Sequence, residues 1–333
     1  MNYFFGTMIC IKDERTNPYF NLAAEEYLLK NFEEEYFLLW RNEPSIIVGK
    51  HQNTLAEINL DYVRENQIKV ARRISGGGAV FHDLGNLNFT FITNGKDGNL
   101  IDFKRFTRPI IEVLQSMGVN AEFGGRNDLL IDGKKFSGNA SHVYKNRVLH
   151  HGTILYSSLM GDLSRALKVN PLKFKDKAVK SIRSRVTNIK EHLQEEMDVL
   201  TFRDRVMEHI QASRENSRIH SYSEEDVQVI EKARDEKFST WEWNFGYSPN
   251  YQFEKGIRTE GGTVEVRMNV HKGLITEIRL QGDFFNKKDV SDLEQMLTGV
   301  EHDPQRISDK LNGVDVSTYL LNVKKEELIG GMF

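Results

Sequence analysis

Three consecutive glycines, Gly76, Gly77 and Gly78, lie between the pair Arg72–Arg73 and an apolar run that ends in His82. Glycine has no Cβ, so such a run lets backbone come close to a ligand and turns several N–H groups toward an anion. Glycine accounts for 25 of 333 residues, close to the roughly 7% average, so the cluster is local rather than compositional. Taken without its neighbours, the run reads equally as a tight hairpin turn. The two arginines and the histidine tilt the reading toward an anion site. In an extended strand Arg72 and Arg73 point to opposite faces, so one serves a buried anion while the other is solvated. Neither common nucleotide signature is met. No G-x-x-x-x-G-K-[ST] occurs, and Phe81 stands where a dinucleotide fingerprint wants glycine or alanine.

A second constellation is RNDLLIDGKKFSGNAS at 126–141. Asp132-Gly133 between apolar runs predicts a two-residue hairpin. Its register pairs Leu130 with Lys135 and Asp128 with Ser137 on a polar face, and leaves Leu129, Ile131 and Phe136 on the other face with Lys134. That makes Lys135 the lysine available for chemistry, although a lone lysine is also an ordinary surface group. HHGTIL at 150–155 starts another strand, and its histidines lack the helical spacing of a zinc pair. KSIRSRVTNIKE at 180–191 is basic and rich in Ser and Thr, and on its own passes for a solvated loop.

These residues need elements to hold them. Asn17 as N-cap and Pro18 at the first helical position predict a helix through about residue 31, with Leu22, Leu28 and Leu29 inside it. YFLLWRN and SIIVGKH are short and rich in aromatic and branched residues, which predicts strands. Phe106, Ile110, Val113, Leu114 and Met117 recur at helical spacing before Gly118, with Pro109 permitting a kink. Residues 201–238 read as charged and helical. After a break at 246–250, Val264, Val266, Met268 and Val270 alternate up to a turn at Gly273, the pattern of a half-buried hairpin. SDLEQMLTGV and SDKLNGVDVSTYLLNV read as helical, so 250–333 forms a small αβ module behind a domain at 1–246.

With 45 basic against 48 acidic residues the net charge is −3, which offers no large basic excess for nucleic acid. No apolar stretch approaches the roughly 20 residues of a membrane span. The start, MNYFFGTMICIKDE, lacks a basic leader and reads as a first strand. One cysteine, Cys10, allows neither an intrachain disulfide nor a cysteine-based metal site, and fits a reducing cytoplasmic location.

The run RRISGGGAVFHDLGNLNFTF, followed in order by RNDL, GKKFSGNASH, HHGT, SIRSRVTNI and STWEWNFG, resembles the lipoate–protein ligase A family in its bacterial two-domain form. The resemblance extends from about Asn17 to Gly246 and beyond, and related biotin ligases carry a different glycine–arginine signature. It implies an α+β fold: a catalytic domain like those of biotin ligases and class II aminoacyl-tRNA synthetases, with a mixed or antiparallel sheet flanked by helices, plus the small C-terminal αβ domain. It implies that Arg73 and the backbone of Gly78, Ala79, Val80 and Phe81 meet the nucleotide. Asn127 and Asp128 lie toward phosphate and metal, with Asp128 the metal residue. Lys135 touches both the lipoate carboxylate and the α-phosphate. Arg183 and Val186 belong to the 180–189 loop that closes over adenylate. Trp40, Arg73, Ser75, Gly76, Gly77, His82, Lys135 and His151 contact lipoate; packing alone is the alternative for Trp40, and a satisfied turn histidine for His82.

The implied reaction is ATP-dependent and has two steps. Lipoate attacks the α-phosphorus of ATP to give lipoyl-AMP and pyrophosphate, and a lysine of a lipoyl domain then attacks this mixed anhydride. Lys135 and Mg²⁺ supply the positive charge that brings carboxylate and polyphosphate together. The expected partners are lipoyl domains of 2-oxoacid dehydrogenase acyltransferase subunits or the glycine cleavage H protein, with the enzyme a monomer that engages neither nucleic acid nor membrane. The alternatives are an octanoyl or lipoyl transferase, which needs a thiol where only Cys10 is present, and a non-catalytic lipoyl-domain binding protein.

Overall fold

The chain begins to organise where its local chemistry says it should. In a computed structural model that describes residues 8–95, 101–125, 127–167, 174–176, 185–214 and 216–333, helix α1 (Pro18–Asn31) starts on Asn17. The Asn17 Oδ1 accepts the N–H groups of Tyr19 and Phe20 at 2.9 and 3.2 Å, satisfying donors that a helix N-terminus leaves unpaired. The strands in chain order are β1 (Met8–Lys12), β2 (Glu35–Trp40), β3 (Ser45–Val48), β4 (Lys69–Arg72), β5 (Val80–His82), β6 (Asn86–Asn94), β7 (Ala121–Gly124), β8 (Asp128–Ile131), β9 (Lys134–Tyr144), β10 (Arg147–Leu155), β11 (Phe174–Asp176), β12 (Arg218–His220), β13 (Tyr251–Thr259), β14 (Gly262–His271) and β15 (Leu274–Gly282).

The chain divides into two units: residues 1–50, 67–165 and 181–239, and residues 51–66, 166–180 and 240–333. The division after 239 precedes the expected break at 246–250, and two earlier segments group with the C-terminal residues. Long-range packing, which no local composition shift records, decides that grouping.

In the first unit a mixed sheet runs in the order β12-β1-β2-β6-β10-β9-β8-β7, and a small sheet runs β4-β3-β5. Strand β6 shows how the large sheet sorts its faces. Leu87, Phe89 and Phe91 enter the apolar core, while Asn86, Asn88 and Thr90 between them are equally buried. Strand alternation therefore gives one greasy face and one buried polar face. The greasy face packs against Phe106, Ile110, Val113 and Leu114 of helix α2 (Phe103–Ser116) and Phe202, Val206 and Ile210 of helix α3 (Val199–Ala212). Helix α2 is capped by Asp102, and Gly118 beyond it has φ +80°, the left-handed geometry expected of a helix stop. The 201–238 segment departs from the all-helical expectation, because β12 lies inside it and pairs in parallel with β1.

In the second unit β11-β13-β14-β15 form one sheet. Val264, Val266, Met268 and Val270 are buried as their alternation predicts, against Leu293, Leu297, Ile307 and Leu328. Lys272 and Gly273 turn the hairpin with φ 50° and 76°. SDKLNGVDVSTYLLNV is helical only at its start: a helix covers Pro304–Lys310, and a short 3₁₀ turn covers Val316–Thr318. Gly313 at φ +77° breaks the run between them.

Candidate active site

The glycine run is no hairpin turn. Strands β4 and β5 flank it, yet both pair with β3 and not with each other. The segment is therefore a crossover, shaped by Arg73. Its Nε donates to Ser75 Oγ at 3.0 Å and to Gly76 O at 3.2 Å, Nη1 to Ile47 O at 3.1 Å, and Nη2 to Gly76 O and Gly78 O at 2.6 and 2.8 Å. Burial lowers its pKa to about 10, opposed by the nearby charge of Glu25, so the guanidinium stays cationic at neutral pH. Gly77 has φ +93°, and a Cβ there would lie 2.9 Å from Arg73 Nη2. Gly49 is needed too, since its Cβ would fall on the Gly77 carbonyl oxygen. A Cβ on Gly76 would meet nothing within 4 Å, so that residue faces open space. The expectation that one of the paired arginines is solvated is corrected. Arg72 is 0% and Arg73 6% exposed, because Arg72 Nη1 binds the carbonyls of Gly49 and Lys50 at 3.0 and 3.1 Å.

Ala79 and Phe81 are buried, while Gly78 and Val80 are half-buried. Val80 and Phe81 pair with Ile47 and Ile46, and β5 is an edge strand of its sheet. Alternate backbone groups of an edge strand point away from its partner, which is the arrangement a backbone reader of a nucleotide requires.

Neighbouring strands of the large sheet carry the next layer. Trp40 ends β2, Thr90 lies on β6, and His151 on β10 sits directly opposite Thr90. The Trp40 indole N–H donates to Thr90 Oγ1 at 2.9 Å, and the Thr90 hydroxyl donates to Glu25 Oε1 at 2.5 Å. His151 Nδ1 donates to the same carboxylate, 2.9 and 3.1 Å from its two oxygens, while its Nε2 is hydrogen-bonded to Ser75 Oγ at 2.5 Å. A continuous buried network thus joins Trp40, Thr90, Glu25, His151, Ser75 and Arg73. Glu25 is 0% exposed and was missed in the sequence. The available signal was its place, with Asn21, on the stripe Pro18, Leu22, Leu28 and Leu29 that α1 buries, where a carboxylate costs several kcal/mol without partners.

Lys135 sits where the two hairpin strands are irregular. The turn is as expected, with Asp132 and Gly133 at φ 50° and 72°, and Leu130 pairs with Lys135. The expected Asp128–Ser137 pairing is corrected: Asp128 pairs with Gly138 and Leu129 with Ser137, leaving Phe136 without an opposite residue. This bulge admits Phe136 to the core, where it is fully buried. It also re-aims the neighbouring side chain, a common use of bulges beside active sites. Lys135 Nζ lies 2.8 Å from Asp128 Oδ1. The same atom passes over Gly138, where a Cβ would come within 2.9 Å of it. The Lys135 backbone itself is held on both sides, since its N–H donates to Arg185 O at 2.8 Å and its carbonyl accepts from Thr187 N–H at 3.0 Å. That bridge sets Val186 beside Lys135.

Asn127 Nδ2 donates to Asn139 O at 2.5 Å, and Asn139 N–H and Nδ2 return bonds to Asn127 O at 3.1 and 3.0 Å. Asn127 thereby clasps the strand next to Asp128. Arg183, and with it the 180–184 part of the expected closing loop, lies outside the described residues. Trp40, Arg73, Ser75, His82 and His151 come together through the buried network and the Trp40–His82 ring contact, as do Asn127, Asp128, Lys135 and Val186 around the β8–β9 hairpin, all within the first unit. Gly138, Asn139, Thr90 and Gly49 join them; each looked like ordinary strand sequence until its partner across the fold was known. Cys10 belongs to the apolar core, and burial raises its pKa to about 11, so it offers no thiolate for acyl transfer.

Among the described residues no group of three or more His, Cys, Asp or Glu side chains could hold a metal, and no helix is long and apolar enough to cross a membrane.

Residues 17–211 match the lipoyl protein ligase A/B catalytic domain, and residues 248–331 match the bacterial lipoate protein ligase C-terminus. Lipoate–protein ligase 1 of Staphylococcus aureus is 45% identical over 316 residues, 94% of this chain and 96% of that protein. The lipoate–protein ligase LplJ of Bacillus subtilis is 42% identical over 327 residues, 97% of this chain and 99% of that one. Among solved structures, a lipoate–protein ligase A bound with ATP superposes with TM-score 0.60 at 26% identity, covering 73% of this chain and all of that one. Plasmodium falciparum LipL1 in complex with lipoate gives 0.63 at 25% identity, covering 98% and 97%. The chain belongs to the lipoate–protein ligase A family, in the form that carries the bacterial C-terminal domain.

Proposed function

We propose that this ATP-dependent lipoate–protein ligase uses Lys135 as the positive charge on which lipoate carboxylate and ATP α-phosphate meet. The observation that carries the assignment is the Lys135–Asp128 pair at 2.8 Å over Gly138, with the lysine backbone pinned on both sides. In the first step a lipoate carboxylate oxygen bonds to the α-phosphorus and the α–β P–O bond breaks, releasing pyrophosphate. In the second, the neutral amine of an acceptor lysine bonds to the acyl carbon, the C–O bond to AMP breaks, and the amine loses a proton. No protein nucleophile is needed. What the protein must offset is repulsion between two anions, and a fixed cation does this with no reorganisation at the moment of reaction.

Before substrates arrive, Asp128 holds the Lys135 side chain in place. Asp128 would be the residue that holds Mg²⁺ beside the phosphates. A lone carboxylate suits that ion, which is held by one or two carboxylates together with substrate phosphates, and the chemistry it would supply is positive charge against the pyrophosphate leaving group. Asp128 is 31% exposed, open enough to share an ion that keeps its waters. Gly78 to Phe81 would read the adenine side through backbone, and Arg73 would act by holding the glycine segment in shape. Arg183 and Val186 would cover the adenylate. Trp40, Ser75, Gly76, Gly77, His82 and His151 would enclose the acyl chain.

The solved Thermoplasma acidophilum ligase was studied with its E2 lipoyl domain. By analogy the acceptors here are lipoyl domains of 2-oxoacid dehydrogenase acyltransferases or the glycine cleavage H protein, met by a cytoplasmic monomer. The test is lipoate-dependent ATP–pyrophosphate exchange, followed by transfer to a lipoyl domain with and without its acceptor lysine. Exchange without transfer to any lipoyl domain removes the partner assignment, and no exchange removes the ligase mechanism.

A further inference from the structure

His82 carries one ring nitrogen whose partner is in the protein and one whose partner is not. Nδ1 lies 3.0 Å from Asn42 Nδ2. Nε2 is buried and has no hydrogen-bond partner, on a side chain only 3% exposed. The proton on this ring follows from the amides behind it. Asn21 Nδ2 faces the carbonyls of Arg15 and Arg41 at 3.2 and 3.0 Å, which only an NH₂ group can do. The same nitrogen lies 2.9 Å from the Asn42 side chain; its two hydrogens are shared among these three neighbours, and because two amide NH₂ groups cannot bond to each other the Asn42 atom there is the oxygen. The other arm of Asn42 is therefore the NH₂ group, and it donates to His82 Nδ1. An accepting Nδ1 on a neutral imidazole leaves the hydrogen on Nε2.

We infer that Asn21 and Asn42 form a tautomer lock, which presents His82 Nε2–H as a neutral donor to an acceptor atom of the bound acyl acid. Asn42 and Asn21 are then positioning residues, and the inference rests on the ligase reading of this site. The donor lies within the right group: the His82 ring is 6.1 Å from the Trp40 ring, and the charges of Arg73 and His151 act on it. Burial, reinforced by those charges, lowers its pKa to about 3, so the ring stays neutral throughout the working range. An orphaned buried N–H is unfavourable. A ligand that accepts from it recovers that loss, whereas apolar packing alone would not.

Nitrogen-15 NMR of the histidine rings in the full chain tests the lock. His82 should show the Nε2–H tautomer, unchanged between pH 5 and 8. Asn42→Asp offers a carboxylate in place of the amide donor and should flip the ring to Nδ1–H, weakening lipoate binding about tenfold by calorimetry. His82→Gln keeps an NH₂ group near the Nε2 position and should bind within about threefold of the native protein, while His82→Ala should lose about tenfold. Binding of octanoate, which has the carboxylate without the dithiolane, locates the acceptor. Equal losses for both acids place it on the carboxylate, and losses confined to lipoate place it on the ring sulfurs; either supports the inference. An Nδ1–H tautomer in the native chain overturns it, as does equal binding by the Gln and Ala variants. Those two measurements stand even if Asn42→Asp does not fold. Failure of the ligase reading shows separately, as absent ATP–pyrophosphate exchange by the native enzyme.

Discussion

Replacing Lys135 with alanine should cripple adenylation while leaving the fold nearly intact. The two effects separate because of where the charge sits. The Lys135 and Asp128 side chains are 26% and 31% exposed and 2.8 Å apart, so water still screens the pair and its loss should cost at most about 1 kcal/mol of stability. In the proposed reacting complex the same ammonium would face two anions in a site that substrates dry. Opposite charges about 4 Å apart at an effective dielectric near 20 interact by about 4 kcal/mol, and removing one preorganised donor typically costs on the order of 10²–10³ in rate. Lys135→Ala should therefore lose about 10²–10³ in single-turnover adenylate formation, with a melting temperature within a few degrees of native. Lys135→Arg should fail comparably, because the ammonium already lies where a Gly138 Cβ would come within 2.9 Å, and a planar fork needs more room than a point charge. Gly138→Ala should impair the same step by pushing the ammonium aside. Lys134, exposed at the turn, should tolerate alanine. Single-turnover rates of adenylation, and of transfer from supplied lipoyl-AMP, would be measured on the four variants. An unimpaired Lys135→Ala, or an equal loss in Lys134→Ala, would refute both the role and the bulged register beneath it.

Gly77→Val must adopt φ +93° and press on Arg73 Nη2; lipoate and adenylate binding should fall far more than the melting temperature, and the reverse pattern would reduce the segment to a fold-making crossover. Cys10→Ser should leave lipoylation turnover nearly unchanged, and a thioester trapped on Cys10 would sink the adenylate mechanism. Glu25→Gln removes the buried negative charge and can set an NH₂ group against His151 Nδ1, which now lies 3.1 Å from the second carboxylate oxygen, so stability should drop by about 1–3 kcal/mol and the KM for lipoate should rise; urea unfolding and steady-state kinetics check this. His302, wedged between the Tyr251 hydroxyl and Met332 O at 2.6 Å each, has its pKa lowered to about 4 by burial. The unfolded state then binds more protons between pH 4 and 6.5, so stability is full above pH 6.5 and falls toward pH 4, by roughly 3 kcal/mol. Thermal melts across that window should show a shallower pH dependence in His302→Asn, and an unchanged slope would contradict the assignment.

Local chemistry carried the reading a long way. Asn17-Pro18 located a helix start, Asp132-Gly133 a turn, and alternation from Val264 to Val270 a hairpin, because caps, positive-φ turns and strand faces are set by residues a few positions apart. The ordered motifs from RRISGGG to STWEWNFG carried the family, and the single cysteine already spoke against a thiol mechanism. Only the tertiary structure could decide what depends on partners distant in the chain. It made the glycine run a crossover instead of a turn, since β3 comes between β4 and β5. It buried Arg72 by offering it the carbonyls of Gly49 and Lys50. It placed Glu25 of α1 under His151 of β10, and it slipped the Asp128–Ser137 pairing by a residue to seat Phe136 in the core. In each case a polar group or a bulge that is unfavourable alone becomes stable once the fold supplies its complement. That complement is a property of which strands become neighbours, and chain order does not state it.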